Sequence, residues 1–301
     1  MWRPLCVVAA AACLATASAK KAEGDISQEQ AKCMLEGKKI AMIGDSNTRF
    51  QFFTLNVFLE TGDLREVDDG DDYDKWGAGG KPDYNDGEKN KYWTDYWGRS
   101  KDGTHLMAMG NDFKNLKNTH THFWFAQTTW LGPDDTKAYN MEDLAKDLKG
   151  YDLVIGSSHW WDMKNDWPKE GRGYGDCGES MTKRCEETYE EDVETFAEEM
   201  CKGKACVWRS GSCCGDNKDK WPPNIAKFNA IAEDVMKKTG NGYAEVFDMW
   251  GKNDLGKKTV DGTHPYPQYY HEWNMRVLKE AEKQLRTGCL DGGGGGGGGG
   301  G

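Results

Sequence analysis

Apolar runs of strand length alternate with stretches whose apolar residues recur every three or four positions. "KIAMIG" (39–44) is a continuous apolar run and predicts a buried strand. "SNTRFQFFTLNVFLETG" (46–62) predicts a helix with Phe52, Leu55 and Leu59 on one face. Strands are predicted at 104–110, 119–129, 151–158, 204–210 and 243–249. Helices are predicted at 140–150, with Asn140 as cap and Gly150 as stop, at 186–203, at 222–240 with Pro at its start, and at 269–288. Helix 186–203 carries Tyr189, Val193, Phe196 and Met200 along one stripe. Such alternation predicts a single three-layer α/β/α domain with a mostly parallel sheet in flavodoxin-like order.

Three segments depart from the pattern. Residues 63–103, rich in Asp, Gly, Tyr and Trp, read as a long surface insert. Residues 163–222, surrounding helix 186–203, read as a Cys-rich region. Gly292–Gly301 has no side chain to bury and reads as a disordered tail. Residues 1–19 have Arg3, an apolar run and Ala17-Ser18-Ala19, and read as a secretory signal peptide cleaved after Ala19. The domain is therefore expected over 20–291, with no membrane span left after cleavage, and as a monomer.

Composition narrows the partners. Fifty Asp and Glu outnumber thirty-nine Lys and Arg, which argues against a nucleic acid or an anionic membrane surface. Besides Cys6 and Cys13 in the leader, the cysteines are Cys33, Cys177, Cys185, Cys201, Cys206, Cys213, Cys214 and Cys289. An even set behind a signal peptide reads as disulfides formed in an oxidising compartment, whether the protein is secreted or held in the Golgi lumen. Cys33 and Cys289 flank the domain, and a bridge between them would tie its ends.

Ligands of open α/β sheets bind at the carboxyl ends of the strands. There the chain has Gly44-Asp45-Ser46, Gly156-Ser157-Ser158-His159 and Arg209-Ser210-Gly211-Ser212. A Ser after a buried strand, at the start of a helix, is placed to act as a nucleophile, because the helix N-terminus presents N–H groups and partial positive charge to an oxyanion. The plainer reading makes Ser46 an N-cap and Gly44 a tight-turn residue. A base is available in "VDGTHPYP" (260–267): Asp261 stands three residues before His264 and can orient its imidazole.

With these residues in view, the chain resembles the SGNH (GDSL-type) hydrolases, and within them the PC-esterase group that includes the plant trichome-birefringence-like polysaccharide O-acetyltransferases. The likeness rests on "KKIAMIGDSNTRFQFFTL", "YDLVIGSSHWWDM", "VWRSGS" and the Asp261-x-x-His264 spacing. It implies a serine-dependent carbohydrate O-acetyl esterase or O-acetyltransferase, with Ser46, His264 and Asp261 as triad. No metal or cofactor is implied, only an acetyl donor as co-substrate if acyl is transferred. Asp45, Arg49, and the backbone of Gly156 or Ser157 are candidates for organising the site or its oxyanion hole. His159, Trp160, Trp161, Arg209 and Ser212 are candidates for carbohydrate contact, and Arg209, at a strand end, could equally meet the loop around Ser46. The family often has Asn where this chain has Gly156, which leaves the second oxyanion donor open. A catalytically inactive glycan-binding protein and a lipid esterase are the alternatives.

Two features have plain explanations beside functional ones. Thirteen tryptophans suit the stacking of sugar rings, and most are equally expected to pack in the core. His120 and His122, two apart on a strand, share a face and could ligate a metal; an exposed polar strand explains them as well.

Overall fold

The computed structural model describes residues 26–62, 94–99, 105–113, 118–124, 144–146, 148–158, 181–212, 221–250, 264–265 and 267–290. The segment read as a signal peptide, the glycine tail, most of 63–103, parts of 163–222 and the Asn140 cap lie outside the described residues.

The chain enters through α1 (Gln28–Leu35), where Ser27 and Gln30 form a reciprocal capping box: Ser27 Oγ accepts from the Gln30 N–H at 3.1 Å, and Gln30 Oε1 accepts from the Ser27 N–H at 2.9 Å. This helix is absent from the sequence-based expectation, because only Ala31, Met34 and Leu35 bury an apolar side chain and the stripe is too short to stand out. Next come β1 (Lys39–Gly44), α2 (Ser46–Thr61), β2 (Thr94–Arg99), β3 (His105–Phe113), β4 (Asn118–Trp124) and β5 (Leu153–Gly156). Then follow α3 (Lys183–Glu199), β6 (Ala205–Arg209), α4 (Trp221–Lys238), β7 (Gly242–Ala244), a 3₁₀ turn (Phe247–Trp250) and α5 (Pro267–Leu285).

The strands form one seven-stranded sheet in the order β2-β3-β4-β1-β5-β6-β7. From β4 to β7 every neighbouring pair is parallel, whereas β2 and β3 add an antiparallel edge. The parallel part, β4-β1-β5-β6-β7, has the flavodoxin-like order. β2 lies within 63–103, the stretch read as a surface insert, and adds an edge strand to the sheet. "TDYWGR" has no strand-like alternation of its own, and its pairing with β3, from Thr94 opposite Gly110 to Arg99 opposite His105, is what makes it a strand. The strand predicted at 243–249 stops at Ala244, because the Glu245 carboxylate accepts the N–H groups of Phe247 and Asp248 and turns the backbone.

Period-2 alternation divides the core between the two faces of the sheet. Ile40, Met42, Leu153, Ile155 and Val207 pack with α1, α2 and α5. Ala41, Ile43, Val154, Cys206 and Trp208 pack with α3, α4 and the Leu144–Leu148 turn. Each large apolar side chain buried in this way contributes about 1.5–3 kcal/mol, so both faces are needed for the sheet to stand. Trp208 and Trp273 belong to these cores, as the plain reading of the tryptophans expects.

The bridge between Cys33 and Cys289 closes across a separation of 256 residues, with the Cα atoms 5.9 Å apart. Cys201 pairs with Cys206 across the α3–β6 connection, and Cys185 is also disulfide-bonded. Closing so long a loop restricts the unfolded chain and is worth roughly 5–6 kcal/mol in the chain-entropy model. Replacing both Cys33 and Cys289 by Ser is expected to lower the melting temperature by about 10 °C without changing the far-UV circular dichroism at 25 °C; a thermal melt of the double variant checks this.

Candidate active site

The strand order reverses between β1 and β5, and the crevice outside their carboxyl ends is the ligand position of such sheets. Gly44-Asp45-Ser46 and Ser157-Ser158 stand there. Asp45, not Ser46, is the N-cap of α2: its backbone is extended (φ −80°, ψ −161°) and its carboxylate accepts the Asn47 N–H at 2.9 Å. The reading of Ser46 as a mere cap is therefore corrected, and Ser46 occupies the first helical position. The Ser46 side chain lies outside the described residues. Gly62 ends the helix in the left-handed region, at φ 68°.

Gly44 is required for close approach rather than for a left-handed turn. A Cβ there would lie 2.2 Å from Thr48 Oγ1 and 2.7 Å from the Ser157 carbonyl oxygen. Its missing side chain lets the first turn of α2 sit directly on the ends of β1 and β5. Gly156 faces the other layer, and a Cβ on it would lie 2.4 Å from Phe196 Cζ. An Asn at this position would collide with the α3 layer. The Ser157 N–H, one candidate for the second oxyanion donor, is already given to the Ile43 carbonyl at 3.0 Å. The Ser157 hydroxyl is buried and has no hydrogen-bond partner.

His264 is brought to the same helix turn. Its ring meets Phe50 edge-to-face, with centroids 5.1 Å apart and planes at 78°. Phe50 follows Ser46 by four residues, so the two share a helix face. The approach is fixed by α5: Tyr270 donates its hydroxyl proton to Asn47 Oδ1 at 2.9 Å, the Phe50 and Tyr270 rings lie 5.9 Å apart, and Asn274 Nδ2 donates to the Gln51 carbonyl at 3.1 Å. The half-buried Arg49 places its guanidinium 5.2 Å from the Phe50 ring centre. Asp261, His159, Trp160 and Trp161 lie outside the described residues.

Of the two readings of Arg209, a ligand contact or a partner of the chain around Ser46, its contact with Thr48 matches the second. Arg209 is 0 % exposed and Ser212 is buried, so neither presents a side chain at the surface. The alternation of β6 turns Arg209 inward beneath α2. There its guanidinium donates to the Ser210 carbonyl at 2.9 Å and to Thr48 Oγ1 at 3.3 Å, and lies 4.4 Å from the Trp273 ring centre. Burial pulls its pKa down to about 10, against the opposing influence of Asp45, and it stays cationic at neutral pH. Ser210 is part of a separate brace, donating to Glu245 at 3.1 Å and accepting the Val246 N–H at 2.7 Å. The phenol of Tyr243 in that brace is raised by burial and by Glu245.

The sequence reading missed Thr48, Phe50, Tyr270 and Trp273. Tyr270 and Trp273 stand three apart on α5, a spacing that marks one helix face but does not name its neighbour. His120 and His122 lie on β4 opposite Ile40 and Met42. Among the described residues, no three His, Cys, Asp or Glu side chains gather as a metal site.

No family model and no curated protein matches the chain. Among solved structures it is similar to LAE5, an alpha/beta hydrolase enzyme from the metagenome of Lake Arreo (12% identity, TM-score 0.46, covering 86% of this chain and 99% of that one). It is also similar to a putative acylhydrolase from Bacteroides fragilis (14%, 0.45, 86% and 95%). A third is a variant of Axe2, an acetylxylan esterase from Geobacillus stearothermophilus (11%, 0.39, 83% and 94%). These likenesses are too distant to carry an activity across.

Gly44→Ala is expected to destabilise the protein by about 1–3 kcal/mol, because a backbone carbonyl and a seated Thr48 resist displacement. Gly156→Asn is expected to be at least as damaging, and Phe196→Ala in the same chain to recover part of the loss. Urea unfolding midpoints of the variants test both.

Proposed function

We propose that the protein is a serine esterase or O-acyltransferase acting on O-acetylated carbohydrate, as its resemblance to the PC-esterase group implies. One observation supports this above the others: His264 is seated on Phe50, on the helix face that begins with Ser46, at the switch point of the sheet. Two residues separated by most of the chain thus approach one helix turn, as a nucleophile and its base must.

In this reading Ser46 Oγ attacks the acetyl carbonyl while His264 takes its proton. The carbonyl electrons move to oxygen, where the N-terminal N–H groups of α2 stabilise the oxyanion. Collapse expels the sugar alcohol, which receives the proton from His264, and leaves acetyl-Ser46. Water then attacks, with His264 again as base, and acetate leaves; a sugar hydroxyl in place of water gives a transferase. Asp261 holds the imidazole tautomer. This chemistry calls for no metal or cofactor. The disulfides suit an oxidising compartment, and among the described residues no helix is long and apolar enough to cross a membrane; we take the site of action to be the secretory lumen or the exterior.

The second reading, an inactive glycan-binding protein, draws on Gly156 and on the engaged Ser157 N–H, which leave the second oxyanion donor to another group. Ser46→Ala and His264→Ala are each expected to reduce turnover of a chromogenic acetate ester by about 10³-fold or more with an unchanged melting temperature. Full activity in the Ser46→Ala variant overturns the serine mechanism, and glycan binding without any turnover by the wild type favours the second reading.

A further inference from the structure

Arg209 is a fully buried cation. Burying a charge costs several kcal/mol unless partners compensate, and the partners here are weak ones: a carbonyl, a hydroxyl and the face of an indole. Its Nε makes no hydrogen bond. Among the acidic side chains, Asp45 exerts the leading influence on it. The location opposes stability in another way, because the guanidinium contacts Thr48 in the first turn of α2, and a helix N-terminus already carries partial positive charge.

The geometry around it is built for the contact. Gly156 stands opposite Trp208, so Ser157 and Arg209 are neighbours on the face of the sheet that carries α2. Gly44, one strand further, has no side chain there, and Thr48 fills that space. Small side chains at 44 and 157 thus clear a path for one long cation to run under the helix and reach the turn that begins with Ser46.

Resting on the serine reading given above, we infer that Arg209 is a positioning residue for the nucleophile. Through Thr48 it fixes the first turn of α2, and its charge adds to the helix field that favours an oxyanion at Ser46. It acts without touching substrate, so its effect falls on reactivity and not on substrate binding.

The test measures labelling of the full chain by an uncharged fluorophosphonate, with rates normalised to the folded fraction, together with kcat and KM for an acetate ester. Arg209→Met is expected to slow labelling and lower kcat by about tenfold or more, leaving KM within twofold. Arg209→Lys, which keeps the charge, is expected to fall between that variant and the wild type. Thr48→Val, which keeps Arg209 but removes its acceptor on α2, is expected to slow labelling several-fold, and it decides the matter alone if Arg209→Met does not fold. Folded Arg209→Met or Thr48→Val labelling at the wild-type rate overturns this inference and leaves the serine reading intact. A wild type that is not labelled at all overturns both.

Discussion

The site depends on one close contact, the seating of α2 on the ends of β1 and β5. Thr48 occupies the volume that any side chain at position 44 would need. The Asp45 carboxylate then caps the helix from its own first turn, so Ser46 enters at a fixed height above the sheet. Once that turn is set, everything else at the site is measured from it: Phe50 one turn up, Asn47 toward α5, and Arg209 beneath.

The second anchor is α5. Its buried face meets α2 through Tyr270 and Asn274, and the chain just before it delivers His264 to Phe50. The Cys33–Cys289 bridge joins the segment before β1 to the segment after α5. It therefore closes the same layer in which α2 and α5 meet. The covalent staple ties the chain after α5 to α1, and the polar contacts near the other end of α5 tie it to α2.

Between these helices and the sheet lies a group of buried polar side chains. Asn47, Thr48, Gln51, Ser157 and Arg209 are all buried there. A stability argument alone would fill these positions with aliphatic side chains, since unpaired buried polar groups cost free energy. These polar residues gather under the first turn of α2, where the proposed nucleophile stands. The other face of the sheet shows the contrast: Tyr189 stacks on Phe228 with centroids 4.0 Å apart, and Phe196 packs edge-on to Trp208.

Local pattern was enough for much of this. The buried run 39–44, the helices that follow β1 and β6, and the α/β alternation were legible because burial on both faces leaves continuous apolar strands, and helices leave a 3- to 4-residue stripe. The pairing of Cys33 with Cys289 followed from their flanking positions. By contrast, β2 and α1 carried little pattern of their own and were defined by a partner strand and a capping box.

What the sequence determined by itself was therefore the alternation of elements, the placing of Gly44-Asp45-Ser46 at a strand end, and the residue types that the proposed acyl chemistry uses. Only the tertiary structure decided which neighbours those residues meet. It turned Arg209 inward, took the Ser157 N–H into the sheet ladder, and set His264 on Phe50. The physical reason is that periodicity specifies which side of an element is buried, while contacts between elements distant along the chain arise from how the layers pack, and no local pattern encodes them.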